Sequence, residues 1–294
     1  MRVALASTLA LCLALSVSAS GQGTRTVSVR GTPAQPGGVL ELTFHGVEGD
    51  RDPEGTVFGR PLVFMPSGEP FTWRTLVGVD VLQATGPATF RIHVGTATAR
   101  KPAVTGTIDV GTRAFPTRRL QVASQFVDPS PAELARIKTE AQRLEDIFAK
   151  VTTTGHLDAF VLPLPGVQGN NFGSRSIFNG QPRAPHAGAD FRGATGTPIP
   201  APAAGQVVLA ESLFFTGNTV VIDHGEGLYS LLAHLSRIDV APGQTLVRGD
   251  VVGLLGATGR VTGPHLHWTI RLNGARVDPL RVVALLAPKA ASLR

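Results

Sequence analysis

The chain has 294 residues, 43% hydrophobic and 16% charged, with 34 glycines, 22 prolines and a formal net charge of +6. That is enough for two domains of ordinary size, and the turn-rich, aromatic-poor balance points to a β-rich globular protein. The positive charge favours acidic partners, but no basic stripe interleaved with aromatics is present. This excludes a nucleic-acid role and leaves an anionic cell envelope as the partner class.

The first residues have the form of a secretory signal, assigned to residues 1–19. Arg2 supplies the positive end, residues 3–17 form an apolar stretch broken only by Ser7, Thr8 and Ser16, and Ser18-Ala19-Ser20-Gly21 offers small residues for cleavage after Ala19. The run is shorter than the span of about 20 residues that a membrane helix needs, and no later segment is apolar enough to cross a bilayer. The expectation is an exported protein, periplasmic or extracellular at the cell envelope, without a stable membrane span once the signal is cleaved. The single cysteine, Cys12, falls inside this stretch. The mature chain then has no disulfide and no Cys-type zinc site, so any metal must be held by His, Asp or Glu.

Residues 24–122 form a first block. Alternating runs such as Thr26-Val27-Ser28-Val29, Val39-Leu40-Glu41-Leu42-Thr43-Phe44 and Phe90-Arg91-Ile92-His93-Val94 are separated by Pro36-Gly37-Gly38 and Thr85-Gly86-Pro87. Period-2 runs between turn clusters predict a small immunoglobulin-like β-sandwich. His45 and His93 are isolated there and carry no chemistry.

A linker follows at residues 123–155, with a helix predicted over 130–150. Leu134, Ile137, Ala141, Leu144, Ile147 and Phe148 recur at helical spacing. Ser130 serves as N-cap, Pro131 suits the first turn and Glu133 completes a capping box. Residues 156–290 return to β-type runs, with strands predicted over 206–210, 219–223, 228–233, 251–255 and 266–272. No helices alternate with them, which argues against a parallel βαβ sheet. The fold class is therefore mainly β: a sandwich, a linker helix and an antiparallel β-sheet domain.

The chemistry concentrates in that last domain. Of eight histidines, five fall between residues 186 and 267: His186, His224, His234, His265 and His267. In Pro264-His265-Leu266-His267-Trp268, a strand places His265 and His267 on one face, about 6.5–7 Å apart along the backbone. On its own such a pair equally suits an exposed strand face. In His186-Ala187-Gly188-Ala189-Asp190, Pro185 and Gly188 oppose a helix and favour a loop entering a strand. Together the two segments offer His, Asp and a further His, three protein ligands with one position left for water, as in a catalytic zinc site. No H-E-x-x-H helix supplies a base, so His234 and His265 are the candidates for proton transfer and oxyanion support, with the two roles not divided between them. His224, Asp223 and Asp278 are read as structural or turn residues, the two carboxylates with a possible orienting role.

With these residues in place, the chain resembles the lysostaphin-like zinc metallopeptidases over most of residues 160–285. The matching segments, in order, are Asn171-Phe172-Gly173-Ser174-Arg175, His186-Ala187-Gly188-Ala189-Asp190-Phe191, Gly196-Thr197-Pro198, Val221-Ile222-Asp223-His224-Gly225, Ala233-His234-Leu235-Ser236, and Gly256-Ala257-Thr258-Gly259-Arg260 leading to Thr262-Gly263-Pro264-His265-Leu266-His267. The resemblance implies Zn2+ held by His186, Asp190 and His267, with His234 and His265 as catalytic histidines. It also implies a narrow groove on an antiparallel sheet and hydrolysis of the peptides of bacterial peptidoglycan. The segment Arg175–Gly180, including Asn179-Gly180, reads as a loop near that groove. Many relatives carry Tyr two residues before the histidine matching His234, where this chain has Leu232, a departure that bears on rate and substrate preference. A wall-binding regulator without activity, and an exported peptidase acting on glycine-rich proteins, are the alternatives. All five key positions are filled, which speaks against loss of function.

Overall fold

The computed structural model describes residues 13–16, 24–95, 101–120, 128–153, 157, 159–164 and 171–287. Most of the predicted signal, with Arg2, Cys12 and the cleavage stretch, lies outside the described residues, as do the boundary near residue 123 and the end of the last domain at 290. The backbone of Leu13–Ser16 runs as a short strand antiparallel to Thr26–Gly31.

The alternation in Val39–His45 sets up the first domain. Leu40, Leu42 and Phe44 point into a core shared with Phe90, Ile92, Val104 and Ile108 from a second sheet. One sheet pairs Thr26–Gly31, Val39–His45, Thr72–Gly78 and Met65–Pro66; the other pairs Arg60–Leu62, Glu54–Val57, Gly86–Val94 and Lys101–Val110. All these neighbours are antiparallel, as period-2 runs joined by short turns require. The result is the two-sheet sandwich the sequence predicts.

The outer face of the first sheet is not solvated. Val39 and Leu76 join the core of the C-terminal domain. Gly78 permits the approach, because a Cβ there would stand 2.8 Å from Val277 Cγ1 and 3.0 Å from Ala275 Cβ. Polar ties ring this patch. Arg74 donates two hydrogen bonds to Glu226 (2.7 and 3.0 Å), Arg276 donates two to Asp80 (2.7 and 3.1 Å) and Arg113 donates one to Asp278 (2.7 Å). The Arg276 hydrogen bonds hold the Asp80 carboxyl below the usual carboxylate range, against the opposing effect of burial.

After Val110 the chain leaves the sandwich. Thr117–Leu120 pairs in parallel with Arg175–Phe178, which pairs in turn with Gln181–Pro182. The expectation of a loop over Arg175–Gly180 is corrected here, because Arg175–Phe178 forms a strand paired with both neighbours. Just upstream, Phe115 packs edge-on against Phe172, and Arg113 lies over both rings.

The linker helix spans Pro131–Phe148. Its capping box forms as predicted: Ser130 Oγ accepts from Glu133 N–H, and the Glu133 carboxylate accepts from Ser130 N–H. The apolar stripe is buried only at its C-terminal end. Phe148, with Leu144 and Ile147, covers Leu209, Val221, Tyr229 and Leu231 on one face of the large sheet. Leu134 and Ala141 stay exposed. Polar ties hold the rest, with Arg136 donating to the Ser212 carbonyl (3.1 Å), the Phe214 N–H donating to Glu140 (2.8 Å) and Arg143 donating to Glu211 (2.6 Å).

The C-terminal sheet has nine strands, with the path Gly188–Arg192, His265–Leu272, Leu228–Ile238, Gly217–Asp223, Gly205–Leu213 and Thr245–Leu246. Its neighbouring strands are antiparallel. One face carries the main core, built on Trp268, Phe191, Ile222 and Leu232. Because strand side chains alternate, Asp190, His265, His267 and Thr269 stand on the other face, beyond the area covered by the linker helix.

Candidate metal centre

Strand register brings the first two ligands together. Gly188–Arg192 lies antiparallel to His265–Leu272 with Asp190 directly opposite His267, so their Cβ atoms fall within about 4.5–5.5 Å of one another. His267 Nδ1 donates to Asp190 Oδ1 at 2.8 Å. Gly188 is required at this point, since a Cβ there would stand 2.5 Å from the Trp268 carbonyl and 2.8 Å from His267 Cε1. His186 reaches the same point from the preceding loop. Its N–H donates to the Ser174 carbonyl (2.9 Å), its carbonyl accepts from Gly173 N–H (2.8 Å), and its Nε2 lies 3.1 Å from Asp190 Oδ1. One ligand atom from each of His186, Asp190 and His267 lies within 4.8 Å of the other two.

Two neighbours orient this triad that the sequence reading does not single out. Asn171 Nδ2 donates to Asp190 Oδ2 at 2.5 Å, while Asn171 Oδ1 accepts from the Asp190 N–H at 3.0 Å. One buried side chain thus fixes both the backbone and the carboxylate of a ligand. Thr269 Oγ1 lies 2.8 Å from His267 Nε2. The hydroxyl can donate to Nε2 while Nδ1 donates to Asp190, and can accept from Nε2 when a metal takes the Nδ1 lone pair. Asn171 belongs to a quoted segment but its contact is tertiary; Thr269 was within reach, lying two residues beyond His267 on the same strand face.

The residues fit a divalent cation. Two imidazoles and one carboxylate converge with oriented lone pairs, a donor set suited to zinc. Among the described residues the charged partners of Asp190 are histidines only. Burial alone pushes the Asp190 carboxyl up, but hydrogen bonds from His186 and His267 hold it far below the usual carboxylate range, so it stays ionised. Burial pushes the His267 imidazole down, keeping it neutral as a ligand must be.

His234 and His265 flank the triad. Ring centroids lie 4.8 Å apart for His234 and His265, and 5.8 Å apart for His234 and His267. His234 sits at an irregularity in Leu228–Ile238, where pairing with Gly217–Asp223 shifts register between Leu232 and Leu235, and its φ of 64° is left-handed. Such a conformation is unfavourable for a residue with a Cβ, and here it turns an imidazole towards the site. His234 Nδ1 lies 2.8 Å from the Thr258 carbonyl, and His265 Nδ1 lies 2.8 Å from the Gly263 carbonyl. A carbonyl can only accept, so both rings carry hydrogen on Nδ1 and present Nε2 as the working atom. His265 Nε2 lies 3.8 Å from Asp190 Oδ1. Burial, then the nearby His267 and His265, push the His234 pKa down to about 3.

The remaining sequence candidates lie elsewhere. His224 is buried, with Nδ1 at 2.7 Å from the Ala204 carbonyl and Nε2 at 2.8 Å from Ser230 Oγ. Asp223 accepts from Thr152 and Gly225, and Asp278 caps the helix Pro279–Leu285 and pairs with Arg113; neither orients a ligand imidazole. Leu232 pairs with Trp268 and packs into the main core. Strand alternation turns its side chain to the opposite face from His267.

Two imidazoles and a carboxylate on one point, with two further imidazoles beside them, form a site that could hold a metal ion. Comparison with known proteins agrees. Residues 184–279 match the model of peptidase family M23. A solved structure described as a putative peptidase M23 from Pseudomonas aeruginosa is 33% identical, covers 86% of this chain and 96% of its own, and superposes with a TM-score of 0.67. The chain belongs to peptidase family M23. Among curated relatives, the peptidoglycan DD-endopeptidase ShyA of Vibrio cholerae is 44% identical over 98 residues, 33% of this chain and 23% of that protein. The DD-carboxypeptidase/endopeptidase Mpg of Neisseria meningitidis is 44% identical over 105 residues, 35% of this chain and 24% of that protein. The matched stretch thus spans about a quarter of the length of these curated relatives.

Proposed function

We propose that this protein is an exported zinc endopeptidase that hydrolyses peptide cross-links of bacterial peptidoglycan. The observation that carries the reading is the convergence of His186, Asp190 and His267 with the Nε2 atoms of His234 and His265 beside them. The names of the ShyA and Mpg relatives support the substrate, and the apolar stretch at residues 3–17 behind Arg2 supports export.

His186, Asp190 and His267 would hold the ion, which when bound lowers the pKa of water and polarises a carbonyl. The rest is done by the protein's own groups. Asn171 and Thr269 keep the ligands oriented. His234, neutral at working pH and protonated on Nδ1, offers Nε2 as a proton acceptor. His265, hung from the Gly263 carbonyl, presents its Nε2 on the same side, where it can support developing negative charge or return a proton to the leaving amine. No helix among the described residues is long and apolar enough to cross a membrane.

The test is mass analysis of fragments released from defined peptidoglycans, with and without a chelator. Release of free amino and carboxyl ends at a cross-link, abolished by chelator and restored by zinc, is expected. Intact cross-links in the presence of zinc contradict the reading.

A further inference from the structure

Residues 256–265 leave the sheet and return to it, with His265 N–H donating to the Gly256 carbonyl at 3.2 Å. The hydrolytic scheme uses Thr258 and Gly263 of this loop but leaves one charged side chain idle. The Arg260 guanidinium lies 4.3 Å from the centroid of the Phe215 ring and 5.0 Å from that of Phe178. Its backbone N–H donates to the Phe215 carbonyl at 2.8 Å, which ties the loop to the adjoining turn. Burial, then the nearby Arg183, push its pKa down to about 10, so it remains charged at neutral pH. Among the described residues no carboxylate pairs with it.

A half-buried cation without an anion is unfavourable, and stacking on two rings offsets only part of its lost hydration. The rings hold the planar group in place, and its fork of N–H donors is matched in shape to a carboxylate. Its place in the fold is beside the site. Thr258, two residues earlier, accepts from His234 Nδ1, and the Phe178 strand belongs to the hairpin that leads into His186. Arg260 therefore stands between the loop that holds one working histidine and the hairpin that delivers one ligand.

We propose that Arg260 binds a carboxylate of the peptide lying in the groove and so selects cross-links that carry a free acid over carboxylate-free ones such as oligoglycine. This rests on the peptidase reading above. Two acids of a wall peptide share the required chemistry: the free carboxylate of the cross-linking diamino acid and the C-terminal carboxylate of the stem.

Three synthetic cross-linked peptides separate them: one with both acids free, one amidated at the diamino acid and one amidated at the C-terminus. kcat/KM is measured for the zinc-loaded wild type, Arg260→Gln and Arg260→Lys. Binding of the same peptides is measured by calorimetry on zinc-loaded His265→Ala, with and without Arg260→Gln. The wild type should prefer the free acid over one of the amides by about tenfold or more, the size expected for a charge-assisted hydrogen bond. The amide that suffers identifies the carboxylate. Arg260→Gln should bring the acid-to-amide ratio towards one, and Arg260→Lys should keep part of it. A ratio that survives in Arg260→Gln, or a wild type that does not discriminate, overturns the proposal. An equal loss on all three peptides also overturns it, because Arg260 would then only brace Phe178 and Phe215. If no peptide is cut but binding shows an Arg260-dependent preference, the peptidase reading falls and the carboxylate subsite stands.

Discussion

Asn171→Leu removes the two hydrogen bonds that set Asp190 while keeping the volume of the side chain. The carboxylate loses its 2.5 Å donor, and the Asp190 N–H loses its acceptor at 3.0 Å. A hydrogen bond to a charged group contributes about 1.5–3 kcal/mol. Freed on that side, Oδ2 rotates away and the ligand must be reordered whenever zinc binds. Orienting partners of metal ligands typically change affinity by about 10–100-fold, and the two figures agree. Zinc affinity measured by competition with a chromophoric chelator should therefore fall by about 10–100-fold, with about one zinc per chain still bound at saturation. Thermal unfolding at fixed zinc should show a smaller zinc-induced rise in Tm than in the wild type. An affinity within twofold of the wild type would refute the orienting role of Asn171.

The two strand histidines should separate cleanly. His267→Ala should lose both zinc and activity, whereas His265→Ala should keep zinc and lose about 10²–10⁴-fold in activity; full activity in His265→Ala would remove its assigned role. The His234 pKa of about 3 lies below the ordinary 6.5, chiefly through burial. The stability conferred by this neutral imidazole is complete above about pH 6.5 and is lost as the pH falls towards 3. Urea midpoints of the metal-free protein should drop from pH 7 to pH 4.5, and His234→Gln should flatten that slope; identical slopes would contradict it. At the domain interface, Arg74→Met leaves Glu226 buried without its partner and should destabilise the protein by about 3–5 kcal/mol in chemical denaturation. A change under about 1 kcal/mol would show that the pair contributes little.

Local signals carried most of the fold. The capping box of Ser130 and Glu133 and the Pro131 first turn depend on neighbours in sequence, and the helix begins where they place it. The predicted strands at 206–210, 219–223, 228–233, 251–255 and 266–272 all lie within observed strands, because alternation and turn residues mark them. The helix stripe was legible as a period but not as burial: Leu134 lies in the first half, where Arg136 donates to the Ser212 carbonyl, a pairing that no helical wheel reveals. The parallel pairing of Thr117–Leu120 with Arg175–Phe178 joins segments far apart in sequence and left no local trace.

The site divides in the same way. His186 and Asp190 sit close in sequence, and His265 and His267 alternate on one strand, so both pairs could be read. Their meeting depends on the register that sets Asp190 opposite His267, which is a property of the sheet. The left-handed turn at His234 comes from a bulge and Asn171 acts across 19 positions, so neither has a spacing rule. Leu232 drew notice through the resemblance, as the place where many relatives carry Tyr; alternation places it in the core against Trp268.

The proposed zinc ligands are His186, Asp190 and His267. X-ray absorption at the zinc edge of the purified, zinc-loaded protein, read together with metal content, tests this assignment. About one zinc per chain with two imidazole ligands and one carboxylate is expected, with loss of that signature in His186→Ala and His267→Ala. A zinc-free protein after loading, or an unchanged spectrum in both variants, would contradict it.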